Sequence, residues 1–139
     1  MTTITNPVGT KIRNDKGGLG HYGAPRSKRL PNGKLKRYAH EGTDYECIPG
    51  QDIKAPCTGI MTRSRPYAHS EYDGVRIDAK RLSIQIFYVT PDKTLFGKSV
   101  IMGQIIGKAQ DISKRYADVT PHVHIQIPRC DPEIFMKRN

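Results

Sequence analysis

Tryptophan is absent from the chain, and with 13 glycines and 10 prolines the composition suits short strands joined by many turns. Long apolar runs are missing too: no stretch of about 18 apolar residues exists, so nothing in the sequence is built to span a bilayer. The opening Met1 to Pro7 has neither a charged n-region nor an apolar h-region. No secretory leader is therefore expected there, and any route to the cell exterior is expected to depend on another carrier. Cysteine is scarce. Cys47, Cys57 and Cys130 cannot all pair with one another and none lies in a C-x-x-C pattern, so no disulfide framework is implied and free, buried thiols are expected. The 139 residues suit one domain, and 36% hydrophobic against 26% charged residues excludes low-hydrophobicity disorder.

Acidic residues are nearly absent from the first 39 positions, where nine bases face only Asp15, a net of +8 out of the chain's +10. A basic arm ahead of a near-neutral body suits attraction to a polyanion or to an acidic partner. Residues 1–20 read as an extended basic arm and 21–139 as a single domain. The Gly17-Gly18-Leu19-Gly20 cluster is no phosphate cradle, because no strand precedes it and no helix follows.

Beyond about residue 40 the pattern has a period of two. Leu82, Ile84, Ile86 and Tyr88 alternate with Ser83, Gln85, Phe87 and Val89, and Val75 and Ile77 alternate with Arg76 and Asp78. Val119, Val123, Ile125 and Ile127 share one face, while His122, His124 and Gln126 point to the other. Only Asp111 to Tyr116 reads as a helical turn. The expected fold is all-β or nearly so, a compact antiparallel β sandwich.

His122-Val123-His124 lies in a strand, where alternate residues point the same way about 6.5–7 Å apart. Two imidazoles can then address one small cavity. His40-Glu41-Gly42-Thr43-Asp44 adds a histidine and a carboxylate on one side of extended chain. Together these are ligand types that zinc takes at catalytic sites, three from the protein with a position open for water. Two histidines and a carboxylate also describe the facial triad of non-haem iron(II) enzymes, although those usually use an H-x-D/E spacing. Each cluster alone also reads as a surface histidine beside a turn aspartate.

With these motifs the sequence resembles the lysostaphin-type zinc endopeptidases, which cut peptide cross-links of bacterial peptidoglycan. His40-x-x-x-Asp44 and His122-x-His124 are similar to that family's paired motifs. Gly23-Ala-Pro-Arg26, Pro49-Gly50 with Ala55-Pro56-x-Thr58-Gly59, Gly103-Gln104-Ile105-Ile106-Gly107 and Pro121-His122-Val123-His124 follow in the family's order, over about residues 20–128. Gly74-Val75-Arg76-Ile77, Phe87-Tyr88-Val89-x-Pro91 and Cys130-Asp131 resemble the leukocyte cell-derived chemotaxin branch. Cys47 and Cys130 are similar to two of its bridging positions, but the partners are missing and Ser83 stands at one of them.

The resemblance implies one zinc ion per chain held by His40, Asp44 and His124, with His122 as the nearby base or orienting group. The family usually places a further histidine in a Tyr-x-His-Leu strand, and here Tyr88 stands at that position. Tyrosine is no base near neutral pH, but it can donate to a developing oxyanion. Tyr88 otherwise reads as a core aromatic on the face of Leu82, Ile84 and Ile86. His21 and His69 are expected at the surface. The implied activity is hydrolysis of peptidoglycan peptides by a component of a phage tail, with the basic arm available for assembly into the virion. The alternative is a zinc-stabilised, catalytically inactive module that binds a partner. A nucleic-acid binder is a third reading, supported only by the arm's charge.

Overall fold

The computed structural model describes residues 3–68 and 70–137; His69 lies outside them. Among the described residues the chain forms thirteen strands and no α-helix. The strands are β1 (Asn14–Asp15), β2 (Gly18–Leu19), β3 (Pro25–Arg29), β4 (Leu35–Ala39), β5 (Thr43–Glu46), β6 (Asp52–Lys54) and β7 (Gly59–Arg63). They continue with β8 (Gly74–Asp78), β9 (Ser83–Phe87), β10 (Val89–Pro91), β11 (Ser99–Val100), β12 (Ile105–Ala109) and β13 (His122–Gln126).

A six-stranded antiparallel sheet runs in the order β11-β7-β8-β9-β13-β5, and a three-stranded one in the order β10-β12-β6. Both contribute to one hydrophobic cluster. Met61, Val75, Ile77, Ile84, Ile86, Val123 and Ile125 enter from the larger sheet, and Ile53, Val89 and Ile106 from the smaller. All ten are fully buried, as the period-two pattern requires of alternate side chains. Each such aliphatic side chain stabilises the fold by about 1.5–3 kcal/mol on leaving water. The fold is the all-β, mostly antiparallel architecture expected from the sequence.

Two local features differ from the sequence reading. The 82–89 strand is broken at Tyr88, whose φ of 71° puts a non-glycine residue in the left-handed region. The Tyr88 and Val89 amides both donate to the Asp73 carbonyl, at 2.8 and 3.3 Å. The chain then leaves the large sheet, and Val89 begins β10 in the small one. Short 3-10 turns, absent from the sequence reading, form at Lys93–Leu95 and Pro132–Phe135, each with an aspartate side chain capping its first N–H groups. At the anticipated helical turn, the Tyr116 amide donates to the Ile112 carbonyl at 3.0 Å and the turn is not continued.

Residues 3–20 lie along the body but not as one extended arm: β1 and β2 pair antiparallel around a turn at residues 16–17, so a short strand does precede the glycine cluster. Ile4 is fully buried, its amide donates to the Phe135 carbonyl at 2.8 Å, and its carbonyl accepts from the Lys137 amide at 2.7 Å. Farther on, the Arg13 amide donates to the Asp44 carbonyl at 2.8 Å, and the Asp44 amide donates to the Gly20 carbonyl at 2.8 Å. This segment covers β5, the edge strand of the large sheet, and satisfies backbone groups an open edge would expose. Cys47 and Cys57 are buried free thiols, whereas Cys130 is partly exposed. Burial pushes the Cys47 and Cys57 thiols up to about 11.

Candidate metal centre

The site stands on the face of the large sheet opposite its core. β13 lies between β5 and β9, and the register sets His124 directly opposite Asp44 on one side and Phe87 on the other. Opposed residues of an antiparallel pair share a face with Cβ atoms about 4.5–5.5 Å apart. Two side chains 80 positions apart in sequence therefore meet. His40 follows directly on β4 and is fixed by its amide, which donates to the Ala24 carbonyl at 2.8 Å. Gly42 lets this loop close on β13: a Cβ there would lie 2.3 Å from the Ile125 carbonyl oxygen and 2.6 Å from His124 Nε2.

His124 Nδ1 lies 2.9 Å from Asp44 Oδ1 and 3.1 Å from His40 Nε2, and His40 Nε2 lies 3.4 Å from Asp44 Oδ1. The three atoms form a small triangle. Ligand atoms about 2.0–2.1 Å from a tetrahedral zinc ion lie about 3.3 Å from one another, close to these edges. Each outer ring nitrogen faces an oxygen. His40 Nδ1 faces the His21 carbonyl at 3.1 Å, and His124 Nε2 faces Gln126 Oε1 at 2.9 Å. With hydrogen on both outer nitrogens, a neutral ring at either position turns its lone pair toward Asp44 Oδ1. In that tautomer three acceptors converge, an arrangement suited to a bound cation. The donor set of two imidazoles and a carboxylate fits a divalent metal.

Asp44 divides its two oxygens. Oδ1 belongs to the triangle, whereas Oδ2 accepts from Arg13 Nε at 3.2 Å and lies 3.5 Å from His122 Nε2 and 3.8 Å from an Arg26 nitrogen. Burial opposes ionisation of Asp44, but with no metal bound the facing His124 and His40 nitrogens, donating to it, override burial and hold its carboxyl well below the usual range. His122 is 5% exposed, and its Nδ1 donates to the Thr120 carbonyl at 2.8 Å, leaving the Nε2 lone pair inward. Burial lowers its pKa, against the opposing pull of Asp44, so the neutral ring is favoured. Phe87 stacks on His124 at 5.3 Å with an interplanar angle of 3°, fixing that ring from below.

The N-terminal segment supplies residues that the sequence reading did not assign to the site. Arg13 is 4% exposed, and besides Asp44 it donates through a terminal nitrogen to Asp15 Oδ1 at 2.6 Å. Asp15 Oδ2 accepts from the Thr120 amide at 2.6 Å, and the Thr120 carbonyl holds His122. A chain of hydrogen bonds thus links Asp44 to His122 through Arg13, Asp15 and Thr120. The available signal was Arg13 and Asp15 at alternate positions of an extended segment, with Asp15 its only acid.

The triangle and His122 line a cavity of about 410 Å3, shared with Tyr38, Tyr67, Tyr88 and Tyr116. Tyr88 is not the core aromatic on the face of Ile84 and Ile86. Its left-handed backbone turns the ring to the site side, edge-on to His122 at 5.3 Å and to Tyr72 at 5.4 Å. Burial, reinforced by Asp44, raises its hydroxyl above the ordinary phenol range, so it stays a donor. Val119, read with the apolar face of β13, precedes that strand and lines the cavity. His21 is exposed as expected, yet its backbone carbonyl orients His40.

No protein-family model matches the chain. Bovine leukocyte cell-derived chemotaxin-2 is 31% identical over 126 residues, covering 88% of this chain and 76% of that protein. Among solved structures, Helicobacter pylori Csd3 superposes with a TM-score of 0.66 at 19% identity, covering 99% of this chain. A Pseudomonas aeruginosa putative M23 peptidase gives a TM-score of 0.61 at 20% identity and covers 97% of this chain. The chain spans only 36% and 50% of those two longer proteins. A shared β architecture with peptidases, a His/Asp/His cluster beside a cavity and this level of identity over most of a relative's length converge: the chain belongs to the lysostaphin-type (M23) peptidase family.

Proposed function

We propose that the chain is a zinc-dependent endopeptidase that cleaves peptide cross-links of bacterial peptidoglycan. The observation that carries this reading is the convergence of His40 Nε2, Asp44 Oδ1 and His124 Nδ1 within 3.4 Å in the wall of an open cavity. When bound, a zinc ion supplies Lewis acidity, making water acidic near neutral pH and polarising a carbonyl. The residues around it supply the rest. His122 accepts the water's proton at Nε2, because its Nδ1 hydrogen is committed to the Thr120 carbonyl. The same nitrogen returns the proton to the departing amine. The Tyr88 hydroxyl donates to the oxygen that becomes negative, an effect of about 2.7–4 kcal/mol in known oxyanion holes. Arg13 holds Asp44 Oδ2 and keeps the carboxylate oriented through one oxygen. The phage-tail setting expected from the sequence is a proposal of the same kind and predicts this chain among the proteins of purified virions.

Zinc-loaded protein is expected to clear a suspension of purified peptidoglycan, and His124→Ala is expected to abolish both clearance and metal binding. Full clearance by His124→Ala would overturn the assignment.

A second reading, a metal-bound but inactive module, is favoured by one observation: the ring edge-on to His122 is a tyrosine, Tyr88, its hydroxyl raised above the ordinary phenol range, at the position where the resemblance implies a further histidine. It predicts stoichiometric metal without turnover, and gain of lysis on Tyr88→His. The first reading predicts turnover in the native chain and a loss of about 100-fold or more on Tyr88→Phe with metal content unchanged.

A further inference from the structure

β3 and β4 form a hairpin that pairs with no other strand. A lone two-stranded ribbon is marginal in water, and this one buries almost nothing: every residue of β4 and all but Arg26 of β3 are exposed. Its side chains therefore do little for the core. Between Pro25 and Ala39 it carries Arg26, Lys28, Arg29, Lys34, Lys36 and Arg37 and no acid.

Arg26 approaches Asp44. Among the described residues the other five cations have no carboxylate within ion-pair distance. The register sets Lys28 directly opposite Lys36, a like-charge pair that weakens the ribbon. Arg26, Lys28, Lys36 and Tyr38 share one face by strand alternation. Arg26 and Tyr38 are also in the wall of the metal-site cavity. This face thus runs from Lys28 and Lys36, two cations without a carboxylate partner, to Arg26 at the cleft, with same-strand charges about 6.5–7 Å apart.

We infer that the β3–β4 hairpin is a docking strip for a linear polyol-phosphate polymer, holding the domain on an anionic wall while the cleft works on neighbouring peptide. The choice of polymer rests on the proposed peptidase reading; the strip itself rests on the hairpin's charge. Stacked bases are not the ligand that fits. The strip's one aromatic ring, Tyr38, already carries the Lys28 ammonium 5.9 Å from its centroid, and single-stranded nucleic acid calls for a series of free stacking platforms.

The test uses the full chain and a fluorescent poly(glycerol phosphate), with anisotropy read across a salt series. Matched-charge double-stranded DNA and heparin serve as competitors. The native chain is expected to prefer the polyol phosphate to both. The K28Q/K34Q/K36Q variant is expected to bind at least about 10-fold more weakly at low salt, with the log–log salt slope shallower by about 2–3. The K80Q/R81Q/K98Q variant has the same net charge and alters exposed residues away from the hairpin; it is expected to change affinity less than about twofold.

Equal losses in the two variants, no binding by the native chain, or tighter binding of DNA or heparin would each overturn the inference. Binding is scored with zinc removed as well as loaded. Retained binding without peptide hydrolysis would sink the peptidase reading alone, and hydrolysis without binding would sink the docking strip alone.

Discussion

Each oxygen of Asp44 faces a different chemistry. Oδ1 points into the triangle with two imidazole nitrogens, and Oδ2 is tied to a buried guanidinium. Arg13 is thus a positioning residue, and truncating it leaves Asp15 and Asp44 without their shared cation inside the protein. Arg13→Met is expected to destabilise the metal-free fold by about 3–5 kcal/mol, because breaking a buried pair strands its anions. It is also expected to weaken metal binding by about 10–100-fold, as loss of an outer partner of a ligand commonly does. Chemical denaturation and competition with a calibrated chelator read the two effects separately, and Arg13→Lys should recover part of each. A merely structural Arg13 would move the first and leave the second alone.

At the scale of elements, the site is a consequence of register. The alternation of His122, His124 and Gln126 against Val123, Ile125 and Ile127 was legible in the sequence, and β13 carries it as read. What alternation cannot disclose is which strand lies alongside. The pairing of His124 with Asp44 is a contact 80 residues long that local pattern does not encode. The family motifs brought these residues together where periodicity could not. Tyr88 escaped for a different reason: its left-handed backbone reverses the face on which the side chain falls, and a tyrosine gives no local signal for that conformation. Such a conformation in a bulky residue costs about 1–2 kcal/mol and tends to persist where surrounding contacts fix it, commonly at functional sites.

The β3–β4 hairpin was illegible because it has no core face, so no hydrophobic period marks it. The same contrast predicts amide exchange. The Arg13 and Asp44 amides, bonded across the covered edge of β5, should exchange as slowly as those of β9. The β3–β4 amides should open locally and exchange far sooner. Equal protection in the two places would contradict this account of the edge.

Across the whole molecule, charge and fold divide the N-terminal third into two roles. Most of the chain's net charge of +10 lies before residue 40, and the sequence reading treated it as one basic arm. Folding separates it. Arg13 is drawn inside against two acids, while Lys28, Arg29, Lys34, Lys36 and Arg37 stay in solvent on the hairpin. The body is an antiparallel sandwich whose inner faces make the core and whose large sheet presents the histidines outward. The sandwich supplies rigidity, and the N-terminal segment closes the back of the site. The account therefore depends on whether the three converging side chains hold an ion.

Elemental analysis of the chain refolded with zinc, beside His40→Ala, Asp44→Ala, His124→Ala and His122→Gln, measures this most directly. One zinc per native chain is predicted, with loss in the first three variants and retention in His122→Gln. Zinc retained at full stoichiometry in His40→Ala or His124→Ala, or no zinc in the native chain, would contradict the site as described.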